Sequence, residues 1–148
     1  MNWTYLIPLA VGIAGILQGG VNEKISKDIG LAHGLMVGNT FVLILSILLI
    51  ILTIKYPHIF PEYFKLKASF STFRPWYLLP GLFGFIIITG IPMSIVKIGA
   101  IKTTVLIVVA QMITSIIWDL SVEKLPLNFM KSLGLFFSVI AVACTLYS

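Results

Sequence analysis

Five long apolar stretches without charge organise this chain, at residues 1–22, 29–54, 75–96, 103–118 and 132–148. Each is near the ~20 residues a helix needs to cross a ~30 Å hydrocarbon layer. In lipid only helices or closed barrels satisfy every backbone group. The stretches are far longer than barrel strands and lack strict alternation, so the pattern predicts an all-α membrane protein. It places five transmembrane helices at about residues 3–29, 33–54, 76–96, 101–118 and 127–147. An odd number of spans puts the two termini on opposite faces of the membrane.

Each helix has its own texture. Gly12, Gly15, Gly19 and Gly20 give the first one small residues for close helix approach. Val21, Ile25 and Ile29 then keep a four-residue period while Glu23, Lys24, Lys27 and Asp28 take the other faces. This helix is predicted to leave the bilayer near Asn22 and end near Ile29, with Gly30 as its cap. In the second helix Gly34, Gly38, Asn39 and Thr40 read as protein-facing, and residues 41–54 as lipid-facing. The third contains Pro80, Gly81, Gly84, Gly90 and Pro92. Proline removes a backbone donor and glycine weakens the helical ladder. Gly84, Gly90 and Pro92 therefore mark a candidate kink, either a bend used in access switching or a structural fit in a crowded bundle. The long connection at 56–74 interleaves Lys65, Lys67 and Arg74 with Phe60, Tyr63, Phe64, Phe70 and Phe73. Flanked by membrane helices, it reads as an interfacial segment.

Composition supports the same picture. Of 148 residues, 59 % are hydrophobic and 10 % charged, and the mean hydropathy is +1.08. Soluble domains carry ~25 % charged residues, so this chain has too little polar surface to face water. It reads as one integral membrane domain over residues 1–148, with lipid as its solvent. The first stretch lacks a basic leader and a small-x-small cleavage site, and reads as a retained helix. Cys144, alone, has no cysteine to pair with inside the chain. The net charge of +5 comes from basic residues spread singly over the loops, which does not suggest nucleic acid.

The candidate chemistry is sparse. There is no Ser/His/Asp set, no phosphate loop and no metal-ligating cluster, so no enzyme activity, cofactor or metal is expected. The intramembrane amides Gln18, Asn22, Asn39 and Gln111 stand out, with Thr103, Thr104, Thr114 and Ser115 behind them. An amide in lipid is costly unless bonded, so it faces a cavity or another helix. These residues line a substrate path or act as interhelical glue; both readings stand. Gln111 lies ~15 Å along its helix from Ile101, near mid-depth. Glu23 and Asp119 sit where helices leave the bilayer, on opposite faces, and with His33 they are the candidates for ion coupling. His33 reads equally as a cap or interfacial residue. No carboxylate lies in mid-membrane, which points to a neutral or zwitterionic cargo or to an uncoupled pathway.

Several short motifs look familiar together. Residues 15–22, Gly-Ile-Leu-Gln-Gly-Gly-Val-Asn, resemble the opening LQG-x-x-N signature of half-size drug/metabolite transporters of the YdcZ type. His33–Asn39 resembles their second helix, with Gly38 at the family's glycine and a changed lead-in. Trp76, Gly81 and Gly84 fit a Trp-x-x-x-x-Gly-x-x-Gly start to helix three. Lys97-Ile98-Gly99-Ala100 is similar to a basic-x-Gly-Ala turn. Ala110-Gln111 stands where the family has Gly-Gln, and residues 131–134 resemble the start of the last helix. The motifs cover nearly the whole chain in order. The resemblance implies a five-helix, EamA-like half of a transporter in the bacterial inner membrane. It would form one inverted-repeat unit, completed by an antiparallel homodimer or a paralogous heterodimer.

The expected function is export of a small molecule by alternating access. The rivals are a non-transporting scaffold or regulatory subunit and a channel-like pore.

Orientation is weakly encoded. The face carrying the N-terminus has Lys55, Lys65, Lys67, Arg74, Lys124 and Lys131, and the other has Lys24, Lys27, Lys97 and Lys102. The positive-inside rule makes the N-terminal face cytoplasmic, by a margin of six to four. Reporter tags at the C-terminus are therefore expected to reach both faces of the membrane, or else a paralogue of opposite bias is required. A single orientation in a functional, partner-free protein would overturn this.

Overall fold

The apolar stretches form helices because in hydrocarbon each backbone N–H and C=O must be bonded within its own segment. The structure, a computed structural model, describes residues 3–65, 67, 73–126 and 128–147. The helices are α1 (Leu6–Ile29), α2 (Leu31–Lys55), α3 (Leu79–Ile98), α4 (Ala100–Ser121) and α5 (Phe129–Leu146). Short 3-10 turns occupy Trp3–Tyr5, Glu62–Phe64 and Pro75–Leu78. The five long helices are long and apolar enough to span a membrane. Among the described residues there is no strand.

The helix boundaries have local causes. Gly30 alone separates α1 from α2, and Gly99 alone separates α3 from α4. Their φ angles are 82° and 81°, a region that side chains avoid. Each N–H closes the helix before it, Gly30 onto the Ser26 carbonyl at 3.1 Å and Gly99 onto the Ile95 carbonyl at 3.0 Å. Each carbonyl opens the next helix, accepting from Gly34 at 3.1 Å and Thr103 at 3.2 Å. Such corners need no loop, so α2 starts at Leu31 and α4 at Ala100. The start of α5 is set by Asn128, whose side-chain oxygen accepts from the backbone of Met130 at 2.6 Å and Lys131 at 3.3 Å. Residue 127, the expected first residue of that helix, lies outside the described residues, as does Phe70 of the 56–74 connection.

The chain divides into two compact units, residues 24–90 and residues 1–23 with 91–148. The division crosses α3 between Gly90 and Ile91, next to Pro92, whose side chain is fully buried. Helix α3 runs through Pro92 as continuous helix. In the 24–90 unit, Gly34 of α2 sits against Ile25 of α1, where a Cβ would come 2.6 Å from the Ile25 Cγ2. Leu35 is buried beside it. Gly38, Asn39 and Thr40, read as protein-facing, are exposed. Beyond them Phe41, Leu43 and Ile54 are all about 60 % exposed, as a lipid-facing helix requires. In the other unit, α4 packs on α5, and Gly19 of α1 sits against Ile91 and Ile95 of α3.

The helical threonine hydroxyls are satisfied inside their own helices. Thr40, Thr53, Thr89, Thr103, Thr104, Thr114 and Thr145 each donate to a carbonyl three or four residues earlier. Thr103 is 2 % exposed, and its bond to the Gly99 carbonyl, 2.7 Å long, removes the cost of burying it.

The glycines therefore differ in duty. A Cβ at Gly19 would collide with the branched Cγ2 of Ile91, which cannot swing away on a helix, whereas Gly12 has nothing within 4 Å. Gly19→Ala is expected to lower stability by roughly 1–3 kcal/mol through overpacking. Gly12→Ala is expected to be neutral or to gain up to ~1 kcal/mol of helix propensity. Thermal unfolding of both variants in detergent checks the contrast.

Candidate substrate groove between helices four and five

One face of α4 carries Gln111, Ser115 and Asp119 at successive four-residue steps. That spacing puts the three side chains in a row on one side of a helix. Helix α5 lies along this face, and between them is a groove of about 400 Å³. Its polar residues are this row and Lys131, and its walls are Val108, Met112, Ile116, Met130 and Gly134. A mostly apolar cavity with a few convergent polar groups is the usual form of a small-molecule site.

The mouth of the groove is an ion pair. The Lys131 ammonium donates to the Asp119 Oδ2 at 2.7 Å, linking the first turn of α5 to the last turn of α4. The connecting turn brings them together. Lys124 takes a left-handed φ of 55°, and the Leu125 N–H donates back to the Asp119 carbonyl at 2.9 Å. The chain thus reverses at once, and the Asn128 cap fixes where α5 begins. Lys131 follows three residues later. Further in, the Ser138 hydroxyl lies 2.9 Å from the Gly134 carbonyl and 2.8 Å from the Met112 sulfur, tying the helices at the groove's side.

The depth ordering is simple. Asp119 and Lys131 lie near the ends of their apolar spans, Ser115 one turn further in, and Gln111 ~12 Å in from Asp119 along the helix. Among the described residues, neither Gln111 nor Ser115 has a side-chain hydrogen bond. Ser115 departs from the helical threonines, which are all bonded back to their own backbone. The groove therefore presents an unspent amide and an unspent hydroxyl to whatever enters it.

The other sequence candidates lie elsewhere. Gln18 is exposed on α1, and Asn22 and Glu23 are half-buried there; none of them lines this groove. Asn39 lines a second cavity of about 440 Å³ between α2 and α3, with Thr89, Phe85 and Leu35. His33 is exposed on α2 and borders a shallow apolar hollow with Ile29, Met36, Val37 and Thr40. Gly84 and Gly90 are half-buried on α3. The structure thus joins two candidates, Gln111 and Asp119, in one groove. Lys131 was missed as a site residue. The available signal was an acid ending one helix and a base opening the next, across a short connection.

Residues 3–144 of this chain match a family described as "Putative inner membrane exporter, YdcZ". The chain belongs to the DMT_YdcZ family. The match spans all five helices and agrees with the motifs read from the sequence. No curated protein and no solved structure matches the chain. As a DMT_YdcZ protein it is a multi-pass protein of the inner membrane, of a family described by export and not by catalysis.

The Asp119–Lys131 pair of this DMT_YdcZ protein is 31 % and 41 % exposed, so water screens it. Exposed pairs contribute ~0.2–1 kcal/mol. Lys131→Ala and Asp119→Ala are each expected to change folding stability by no more than about 1 kcal/mol. Unfolding in detergent tests this. A much larger loss would assign the pair to structure, not to the groove.

Proposed function

We propose that this protein exports a small molecule by alternating access, with the α4/α5 groove as part of the cargo path and a second, antiparallel copy or a paralogue completing the carrier. The observation that carries this reading is the unbonded Gln111–Ser115 row, exposed along an open groove that ends in a charged mouth. A scaffold would have its intramembrane polar groups consumed in side-chain bonds. Here, among the described residues, the helical threonine hydroxyls are consumed, while the amides Gln18, Asn22, Asn39 and Gln111 and the hydroxyls Ser94 and Ser115 are not.

The apolar surface supports the need for a partner. Leu35 is the buried large apolar residue among those described, while aromatic and aliphatic side chains of all five helices stay exposed. Lipid covers such a surface, and so does an inverted partner whose repeat interface carries the site. In an inverted pair, a mid-depth residue of one copy is level with its equivalent in the other, so two Gln111 amides would flank one central path. In an antiparallel pair the Asp119–Lys131 mouth of one copy opens to the cytoplasm, where an exported cargo is loaded, and that of the other copy opens to the opposite face. Gly90 and Pro92, beside the division between the two compact units, are the place where α3 would bend during switching.

The test uses inside-out membrane vesicles containing the protein, with untargeted mass spectrometry of the solutes they accumulate. At least one solute is expected to accumulate in a saturable manner. Gln111→Leu keeps the size of the side chain and removes its amide, so accumulation should fall by on the order of five- to a hundredfold, the effect of a lost buried hydrogen bond of ~1–3 kcal/mol. The variant should still form its dimer. Full transport with a lost dimer would make Gln111 interhelical glue and move the path to Gln18, Asn22 and Asn39.

A further inference from the structure

We infer that the cargo of the α4/α5 groove is an amphipathic zwitterion of the amino-acid kind, carrying an ammonium and a carboxylate at one end and an apolar body behind them. This inference rests on the export reading and names its substrate class. The groove's mouth holds one fixed charge of each sign, 2.7 Å apart, on two different helices. A cargo head with both signs can replace that pair bond for bond, its ammonium taking Asp119 and its carboxylate taking Lys131. Charge-assisted bonds of this kind are the strong ones. A cation alone would leave Lys131 unpaired at the edge of the hydrocarbon, and an anion alone would strand Asp119. A neutral cargo would gain nothing from opening the pair.

The cost of opening is low. The pair is partly exposed, so separating it costs ~1 kcal/mol or less. Two new bonds to the cargo offset that. Behind the mouth the walls are Val108, Met112, Ile116 and Met130, which fit an apolar body. The volume of about 400 Å³ suits a single amino acid or a molecule modestly larger. Ser115 and Gln111 can bond a polar group at the far end of the body, within the ~12 Å from Asp119.

A zwitterionic lipid headgroup shares the chemistry of the mouth. Its acyl chains would run well beyond the ~12 Å from Asp119 to Gln111 and exceed a groove of about 400 Å³. A water-borne amphiphile with a short body fits the groove, so the inference commits to that source.

The experiment measures binding to the purified full-length protein in detergent, by thermostabilisation and calorimetry. The probes are the common L-amino acids, each apolar one also as its N-acetyl form, its amide and its N-acetyl amide, together with short-chain phosphatidylethanolamine. An apolar or hydroxylated amino acid is expected to bind at least about tenfold tighter than its three blocked forms, ~1.4 kcal/mol. Asp119→Ala and Lys131→Ala should each remove that preference, and the double exchange of Asp119→Lys with Lys131→Asp should restore it. Equal binding of the N-acetyl amide, with no effect of either charge variant, overturns the zwitterion and leaves the export reading standing. Binding of the lipid alone overturns the water-borne source. If the vesicles accumulate a solute of another charge class and no amino acid binds, the substrate class is refuted and export survives. If neither occurs, both readings fail.

Discussion

Inside a bilayer there is no water to satisfy a stray N–H or C=O, and every element of this protein answers to that constraint. It makes the five apolar stretches helices. It also decides what polar side chains may do. A hydroxyl in hydrocarbon must find an acceptor, and the nearest is the carbonyl one turn back. The helical threonines all take it. The corners obey the same rule. Gly30 and Gly99 bond both backward and forward, so the chain passes from helix to helix with no free connecting peptide. Among the described residues, Gln18, Asn22, Asn39, Ser94, Gln111 and Ser115 are intrahelical polar groups that stay unbonded, and Gln111 and Ser115 carry weight because they share one groove with a charged pair.

The same constraint explains the thin interior. Soluble helices are held by burying an apolar face away from water, but lipid is as apolar as leucine and offers no such gain. Contacts here depend on shape. Gly19 receives Ile91, and Gly34 receives Ile25, each through the absence of a Cβ. Between α4 and α5 the tie is polar instead, with Ser138 reaching Met112 and Lys131 reaching Asp119. Where helices meet over small residues they close up. Where long side chains such as Gln111, Met112 and Met130 face one another, a groove remains.

How much of this was legible in the sequence follows from the range of each interaction. Span number and helix type are properties of consecutive residues, so hydropathy and length were enough. Single-residue corners were half-legible: Gly30 read as an end, but that it also begins α2 depends on its positive φ. The α2 face at Gly38, Asn39 and Thr40 was half-legible: small and polar residues suggest a protein contact without saying which turn makes it, and within this chain the close contact falls at Gly34 while Asn39 borders a cavity toward α3. Gln111 was legible as a mid-depth amide, and Asp119 as an acid at a membrane edge. Their union was less so, although a four-residue step from 111 to 119 was already in the sequence. Lys131 required the turn. Its partner is twelve residues away, and only the left-handed Lys124 and the Asn128 cap bring the two charges to 2.7 Å.

The placement of charge completes the argument about mechanism. A carrier that traded protons for a cation would need a carboxylate deep in the membrane, where desolvation holds it near neutrality and makes its titration useful. This chain keeps its carboxylates at the edges, and the groove's one acid is already matched by a base. Such a mouth is neutral as a whole, yet strongly dipolar. It does not collect ions of either sign from solution, as a single-sign funnel would. On the proposed reading, it would discriminate by the arrangement of charge on the cargo, not by its total. Depth would add a second criterion, because a body of the right length can bring a polar end to Ser115 or Gln111. Selection at the edge by paired charges and at mid-depth by an amide is what this pattern of polar residues can do in an otherwise apolar chain.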